Sequence, residues 1–489
     1  MNHRRYKCGE SREQTILFPE RLEEYLSETN PVRAIDAYVE SLDLSALGFS
    51  KTQVNINAAG QPAYSPQILL KLYLYGYLNR VRSSRLLEKE CHRNIEVMWL
   101  LQKLVPSYKT IADFRKDNSH ALRNTHRHFI LMCRELALFG GERVAVDGSF
   151  FKGNVSARSF VTVKGLNREI NQLDASIEAW LAQLDQSDKE EPIDDALKDD
   201  PALAEKLKAL REQKQEKLTQ LQGLKSEGRT QQSTVDNDAR LLSKRGQKTQ
   251  GYNVQIVSDS KHHLLIATEV TTDPTDLEQL YPMAQQAREA LQVAHIEVLA
   301  DAGYYKGAQI KACLDDKITP YVPEPKRKSA KNGLFKRADF QYDAEQDVFH
   351  CPAKCILKPT SKPHYQNSQW QQCYASLKSN CRRCAIREQC LPPKSKNRRI
   401  SRGEYEDILD VHRERMASYP KIMRERSSAV EHPFGTLKRR AGWDHFLLRG
   451  LTKVRGEWSL MAMTYNFTRV INLLGIKQFM AYCNQTRRC

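Results

Sequence analysis

The sequence predicts a mixed α/β core with helical segments before and after it. Three observations carry this reading. Short apolar runs at 143–151, 251–258, 263–270, 296–301 and 318–322 read as strands, with helical stretches before and after 296–301. The resulting order is β-β-β-α-β-α-β. Residues 64–104 show helical spacing without strand character, and residues 161–230 interrupt the strand series with a coiled-coil-like repeat.

The elements follow in chain order. Arg21–Leu44 is a helical patch interrupted at Asn30-Pro31. Ser65-Pro66 starts a helix, with Ser65 as cap and Ile68, Leu69, Leu72, Tyr75 and Leu78 at helical spacing behind it. Ser83, Ser84 and Arg85 open a second helix, and Ser107 or Thr110 caps a third with Ile111 and Phe114. Arg80, Arg82, Arg85, Arg93, Lys109, Arg115 and Lys116 give this cluster a helix-turn-helix-like, basic character suited to DNA. The other reading is a small bundle with a solvated face.

Arg143–Phe151 is expected to end as a strand at Asp147. Leu166, Ile170, Leu173, Ile177, Trp180 and Leu184 step by four and three, and Leu203, Leu207, Leu210, Leu218 and Leu221 form a return helix. Pro192 and Pro201 bracket the turn of this hairpin. Residues 181–200 hold eight acidic and two basic residues, so its tip is not expected to touch DNA. Asp259-Ser260-Lys261 joins two strands as a hairpin, and Phe467, Val470, Ile471 and Leu474 form a helical core face. The implied organisation is a helical DNA-binding domain at 1–135 and a core at 140–324 with a hairpin insertion at 161–235. A Cys-rich basic insertion at 325–400 and a helical part of the core at 401–489 complete it.

The chain has 489 residues, enough for about three domains. Hydrophobic residues at 40% and charged residues at 28% fit a globular protein. Lys and Arg number 76 against 59 Asp and Glu, a net charge of +17, which makes nucleic acid the leading partner. No apolar run approaches the ~18 residues of a membrane span. Met1–Lys7 is basic with no apolar stretch behind it, so no secretory signal is expected.

The chemistry concentrates in three acids. Asp147 and Asp301 end apolar runs, where ligands collect in open α/β sheets, and Glu431 lies in a basic helix. Converging carboxylates repel unless a cation compensates them. Mg²⁺ suits a few carboxylates with water and phosphate oxygens, and two ions can serve phosphodiester displacement. Taken singly, a strand-end Asp is more often a helix cap, and a Glu in a basic helix a salt-bridge partner.

Four segments stand out in order along the chain: Tyr64-Ser-Pro-Gln-Ile-Leu-Leu-Lys-Leu-Tyr-Leu-Tyr-Gly-Tyr, Val146-Asp-Gly-Ser-Phe, Leu299-Ala-Asp-Ala-Gly-Tyr-Tyr and Val430-Glu-His-Pro-Phe-Gly-Thr-Leu-Lys. In these segments and their order the chain resembles bacterial insertion-sequence transposases of the DDE type, which have an RNase H-like catalytic core. The resemblance implies Asp147, Asp301 and Glu431 as catalytic acids holding two Mg²⁺ or Mn²⁺ ions. It implies cleavage of double-stranded DNA at transposon ends by water, then joining of the freed 3′-OH to target DNA, in a synaptic homodimer. A bacterial, cytoplasmic, nucleoid-associated place follows. Many relatives carry Tyr-x2-Arg-x3-Glu-x6-Lys. Glu431 and Lys438 keep the second half, whereas Ser427 and Arg424 stand where Arg and Tyr are expected. Arg426 or Arg424, with Lys438 and Arg439, would then contact phosphates.

Six of the 12 cysteines fall between 351 and 390. Cys381-x2-Cys384 with Cys351 and Cys390 reads as a structural zinc set, Cys355 being the competitor. The alternative is a group of reduced, partly buried thiols. Zinc would stabilise a segment expected to be too polar for a core of its own. Flanking Lys326, Arg327, Lys328, Lys394, Lys396, Arg398 and Arg399 are candidates for the DNA backbone. Trp443 reads as a core aromatic or as a platform for a displaced base. Two further functions compete: a zinc-containing DNA-binding regulator with an inactive core, and a nuclease that cleaves without joining.

Overall fold

Caps set the helix starts at the N-terminal end of the chain. Asn30 accepts from the Val32 amide at 2.9 Å and opens α1 (Pro31–Glu40), so Asn30-Pro31 begins a helix here. Ser65 caps α2 (Pro66–Leu78), and α3 (Ser84–Arg93) and α4 (Ile95–Leu100) follow. Ser107 caps α5 (Tyr108–Asp117), which leads to α6 (Ser119–Glu135). These are features of a computed structural model that describes all residues except 1–20, 53–61, 191–200, 245, 326–333, 361, 367–368 and 488–489. The acidic hairpin tip around Pro192, and Lys326, Arg327 and Lys328, thus lie outside the described residues.

The chain divides into two compact units. One comprises 1–129, 441–443 and 452–489, and the other 130–440 and 444–451. In the first unit two of the basic residues expected on a DNA-facing surface are instead buried. Arg82 is 9% and Arg115 5% exposed. Arg115 donates to the Tyr77 hydroxyl, stacks 5.5 Å from the Tyr73 ring and lies 4.0 Å from Glu457. The aromatic face of α2 draws the guanidinium inward, where a cation over a ring and beside a carboxylate is compensated.

The second unit is built on a sheet that starts with β1 (Arg143–Lys152). A side hairpin follows: β2 (Phe160–Thr162), α7 (Val163–Glu190), α8 (Pro201–Ser226) and β3 (Gln231–Ser233). Leu166, Ile170, Leu221 and Leu224 bury one another at the base of this hairpin. Leu173, Ile177 and Trp180 are only half-buried, so among the described residues of the repeat full burial is confined to its base; the side chains of Leu184 and Leu203 lie outside them.

The sheet continues with β4 (Arg240–Lys244), β5 (Gln247–Asp259), β6 (Leu265–Thr271), α9 (Leu280–Leu291), β7 (Ile296–Leu299), α10 (Gly307–Asp315) and β8 (Ile318–Tyr321). The order across it is β4-β5-β1-β7-β8, with β6 also paired to β5. β1 is antiparallel to β5 and parallel to β7, which is parallel to β8. Val144, Val146, Val257, Ile296, Val298 and α9 residues such as Met283 form the core on one face.

β1 does not stop at Asp147 but runs on to Lys152, because Gly148–Lys152 keep an antiparallel partner in β5. Only the parallel pairing with β7 stops, at Ala145 opposite Leu299.

The cysteine-rich segment carries a second sheet of β9 (Gln341–Asp343), β10 (Val348–His350), β11 (Ile356–Pro359), β12 (His364–Gln366) and β13 (Gln369–Ser376). Two short helices, α11 (Lys378–Arg382) and α12 (Arg387–Cys390), lead to β14 (Arg399–Gly403), which pairs with β13. Phe340, Phe349, Leu357, Tyr374 and Ile400 pack together beneath it. The segment therefore does make its own core. Its apolar residues come singly from short strands, so no run in the sequence announces them.

α13 (Glu406–Ser418) and α14 (Ile422–Phe434) return to the first sheet, where Ile422, Ala429 and Val430 pack on Ala145, Leu299 and Tyr321. One turn of wide helix at Gly435–Arg440 follows α14. α15 (Leu451–Leu474) and α16 (Ile476–Thr486) complete the first unit, where Phe467 and Val470 are fully buried and Phe467 packs on Tyr38 and Phe479. Among the described residues no helix is long and apolar enough to cross a membrane.

Candidate active site

Strand register brings Asp147 and Asp301 together. Ala145 pairs with Leu299 in the parallel ladder, and each aspartate follows two residues later on its own chain segment. Both carboxylates thus emerge at the same level beyond the end of β7. Asp301 also caps the short turn Ala302–Tyr304, its Oδ1 accepting from the Gly303 amide at 2.8 Å. The cap uses Oδ1 alone and leaves Oδ2 on the side of Arg426.

Arg426, from α14, fills the space between the two acids. Its Nη2 donates to Asp147 Oδ1 at 2.9 Å and lies 3.9 Å from Asp301 Oδ2. Burial pushes the Asp147 carboxyl up to about 6; Arg426 opposes this shift and Asp301 adds to it. Burial is the main cause, and the Arg426 charge outweighs that of Asp301.

Lys438 lies at the next positions of β1. Its Nζ donates to Ser149 Oγ and to the Phe150 carbonyl, each at 2.6 Å, and sits 4.3 Å from the Phe151 ring centre. Burial brings its ammonium down to about 8. Arg424 and Arg439 are exposed. Glu431 is exposed on α14, directly after buried Val430, and its side chain makes no hydrogen bond or ion pair among the described residues. The structure therefore joins Asp147, Asp301 and Arg426 by contact, and does not join Glu431 to them. Trp443 is 4% exposed and packs edge-on against Tyr77 in the first unit, so its ring serves as core.

Several residues at this site escaped the sequence reading. Asp276 and Gln255 lie beside Gly148, Asn253 donates to Asp276, and Tyr304 donates to Gln255 Oε1 at 2.5 Å. Burial, then Asp276, Asp147 and Asp301, raise the Tyr304 hydroxyl well above its ordinary value. A signal was present: Asn253 and Gln255 interrupt an otherwise apolar strand at alternate positions.

Cys351, Cys355, Cys381, Cys384 and Cys390 line one cavity of about 30 Å³, room for a water or an ion. Cys373 is not among its lining residues. Burial, and the neighbouring Cys351, Cys384 and Cys381 sulfurs, raise the Cys355 thiol. Arg398 holds the cavity wall, donating to the Cys390 and Phe335 carbonyls at 3.1 and 2.9 Å. It is thereby engaged in the fold, while Lys394, Lys396 and Arg399 are exposed. Among the described residues no group of three or more His, Cys, Asp or Glu side chains is placed so that it could hold a metal ion.

Residues 20–117 match the family model described as a transposase domain (DUF772), and residues 350–471 match that described as a transposase DDE domain. The second match contains Glu431; Asp147 and Asp301 lie between the two. No curated protein matches the chain. A cryo-EM structure of the piggyBac transposase synaptic complex with hairpin DNA aligns over 94% of this chain and 81% of that chain, at 9% identity and a TM-score of 0.32. At that score the likeness does not define the fold.

Proposed function

We infer that this chain, an insertion-sequence transposase of the DDE type by its two family matches, cuts transposon ends and joins them to target DNA in a cut-and-paste reaction at Asp147 and Asp301. The observation that carries the reading is the aspartate pair at matched positions past β7, with a single guanidinium between them. A cation already stands where the donor set calls for one. The strand order and directions, β6-β5-β1-β7-β8 with only β5 antiparallel to β1, support an RNase H-like core.

Asp147 and Asp301 would hold divalent ions, Mg²⁺ or Mn²⁺, with Glu431 as the third acid from α14. Bound there, two such ions would activate the attacking water and stabilise the displaced oxygen. Asp147, on β1, and Asp301, just past β7, would fix where such ions sit and so orient the phosphate. Arg426, released from Asp147, becomes available to a phosphate oxygen, and exposed Arg424 and Arg439 extend the basic surface along DNA. Lys438 holds Ser149 and Phe150, which keeps β1 in place behind Asp147. The exposed basic residues of α3 and α5 supply end recognition, and two chains assemble because two ends must be cut and joined.

The cysteine cavity is a zinc site in this reading, with Cys351, Cys381, Cys384 and Cys390 as ligands and Cys355 beside them. Its support is the convergence of five thiols on one cavity.

The test is a labelled duplex carrying the transposon end, taken from the DNA flanking the source locus, incubated with Mg²⁺. Wild type should nick it and produce joined product, and Asp301→Ala should do neither. Binding without metal-dependent cleavage would favour the regulator, and cleavage without joining the nuclease.

A further inference from the structure

We propose that Asp276 is a positioning residue for the aspartate pair: with Gln255 and Tyr304 it forms a buried polar brace that fixes the turn bearing Asp301 against the strand bearing Asp147. This rests on the reading that the pair holds divalent cations.

Asp276 lies between β6 and α9 and is 9% exposed. Its Oδ1 accepts from Gln255 Nε2 at 2.6 Å and from Asn253 Nδ2 at 2.8 Å. Both amides are fully buried on β5. Gln255 in turn accepts from Tyr304, three residues after Asp301. One chain of hydrogen bonds therefore links the segment before α9, the strand β5 and the Asp301 turn.

The two glycines beside the aspartates show how closely this brace approaches. Gly148 follows Asp147 and pairs with Gln255 in the ladder. A Cβ on Gly148 would lie 2.5 Å from Asp276 Oδ1 and closer still to Gln255 Nε2. A Cβ on Gly303 would lie 2.8 Å from Asp301 Oδ1 and 3.8 Å from Asp276 Oδ2. The Asp276 carboxylate is thus wedged between the residue after Asp147 and the turn that Asp301 caps. Among the described residues no hydrogen bond reaches its Oδ2; Lys244 Nζ stands 3.9 Å away.

A buried carboxylate at this place is an expensive choice for stability alone. Apolar side chains of the same volume would serve the core as well or better. A satisfied polar network instead fixes one geometry. Groups that orient metal-holding residues from behind typically change metal affinity about 10–100-fold when lost.

The test measures Mn²⁺ binding to the full-length protein without DNA, from the resonance signal of free Mn²⁺. Tyr304→Phe, Asp276→Asn and the double variant are compared with wild type and with Asp301→Ala. Tyr304→Phe removes one oxygen and leaves the ring buried, so it decides the matter even if Asp276→Asn fails to fold. Each single change should weaken binding by about tenfold or more, and the double should be little worse than the stronger single, because both act through one chain. Lower melting temperatures in EDTA with wild-type Mn²⁺ affinity would overturn the proposal and leave a merely structural brace. Equal Mn²⁺ binding by wild type and Asp301→Ala would overturn the cation reading itself.

Discussion

Arg426 is ion-paired with Asp147 at 2.9 Å, and the same Nη2 lies 3.9 Å from Asp301. Its Nε is buried without a hydrogen-bond partner among the described residues. The guanidinium is held mainly by the two carboxylates. That arrangement lets a divalent cation displace it.

Removing this placeholder has two opposite effects. Arg426→Gln should lower stability in EDTA by about 1–3 kcal/mol, because Asp147 is left without its partner. Added Mn²⁺ should then raise the melting temperature by more in the variant than in wild type. Thermal melts with and without Mn²⁺ check both signs; identical Mn²⁺ increments would show that cation and guanidinium do not compete.

Lys438 and its exposed neighbours should separate in DNA binding. Arg424→Ala and Arg439→Ala each remove a phosphate contact, so each should reduce the salt slope of DNA binding by about one. Lys438→Met removes two hydrogen bonds inside the fold. It should lower the melting temperature and change the slope less than either arginine. Affinities measured at several salt concentrations distinguish the two classes.

The cysteine cavity predicts one zinc per chain. Cys384→Ser should release it, and metal analysis of the purified protein reads the loss directly. A chelator should also loosen the segment around β9–β14, seen as faster proteolysis there. Full zinc content in Cys384→Ser would remove that cysteine from the ligand set.

His126 predicts an acid sensitivity of the first unit. It is 3% exposed, and burial lowers its pKa to about 3, with Arg127 adding to the shift. The unfolded chain binds this proton near pH 6.5 and the folded chain does not. Stability should therefore be intact above pH 6.5 and fall on acidification toward 3, by about 1.4 kcal/mol per pH unit. His126→Leu should flatten that part of the stability curve, which denaturant melts at pH 5 and 7 would show.

The succession of β1, β5, β6, α9, β7, α10 and β8 along the chain is legible in the sequence because it is local, whereas β4 and the sheet of the cysteine segment are not. Apolar runs mark buried strands, and Asp147 and Asp301 each end such a run. What it hid depends on long-range pairing. The continuation of β1 past Asp147 needs β5, whose partnership the hairpin insertion postpones by about a hundred residues of sequence. Asp276 carries no local mark, and only β5 and the Gly148 backbone give it meaning. Arg115 looks like a surface cation until the aromatic face of α2 is folded against it. The core under the cysteine segment is scattered one residue per short strand, which leaves no periodicity to read.

The most direct measurement is a metal-specificity switch at Asp301. Asp301→Cys places a soft thiolate among the hard oxygen ligands, which disfavours Mg²⁺ more than Mn²⁺. On the labelled transposon end, the variant should be inactive with Mg²⁺ and regain cleavage with Mn²⁺, while Asp301→Ala stays inactive with both. Cleavage by Asp301→Ala at the wild-type rate in Mg²⁺ would contradict a metal-holding role for this aspartate.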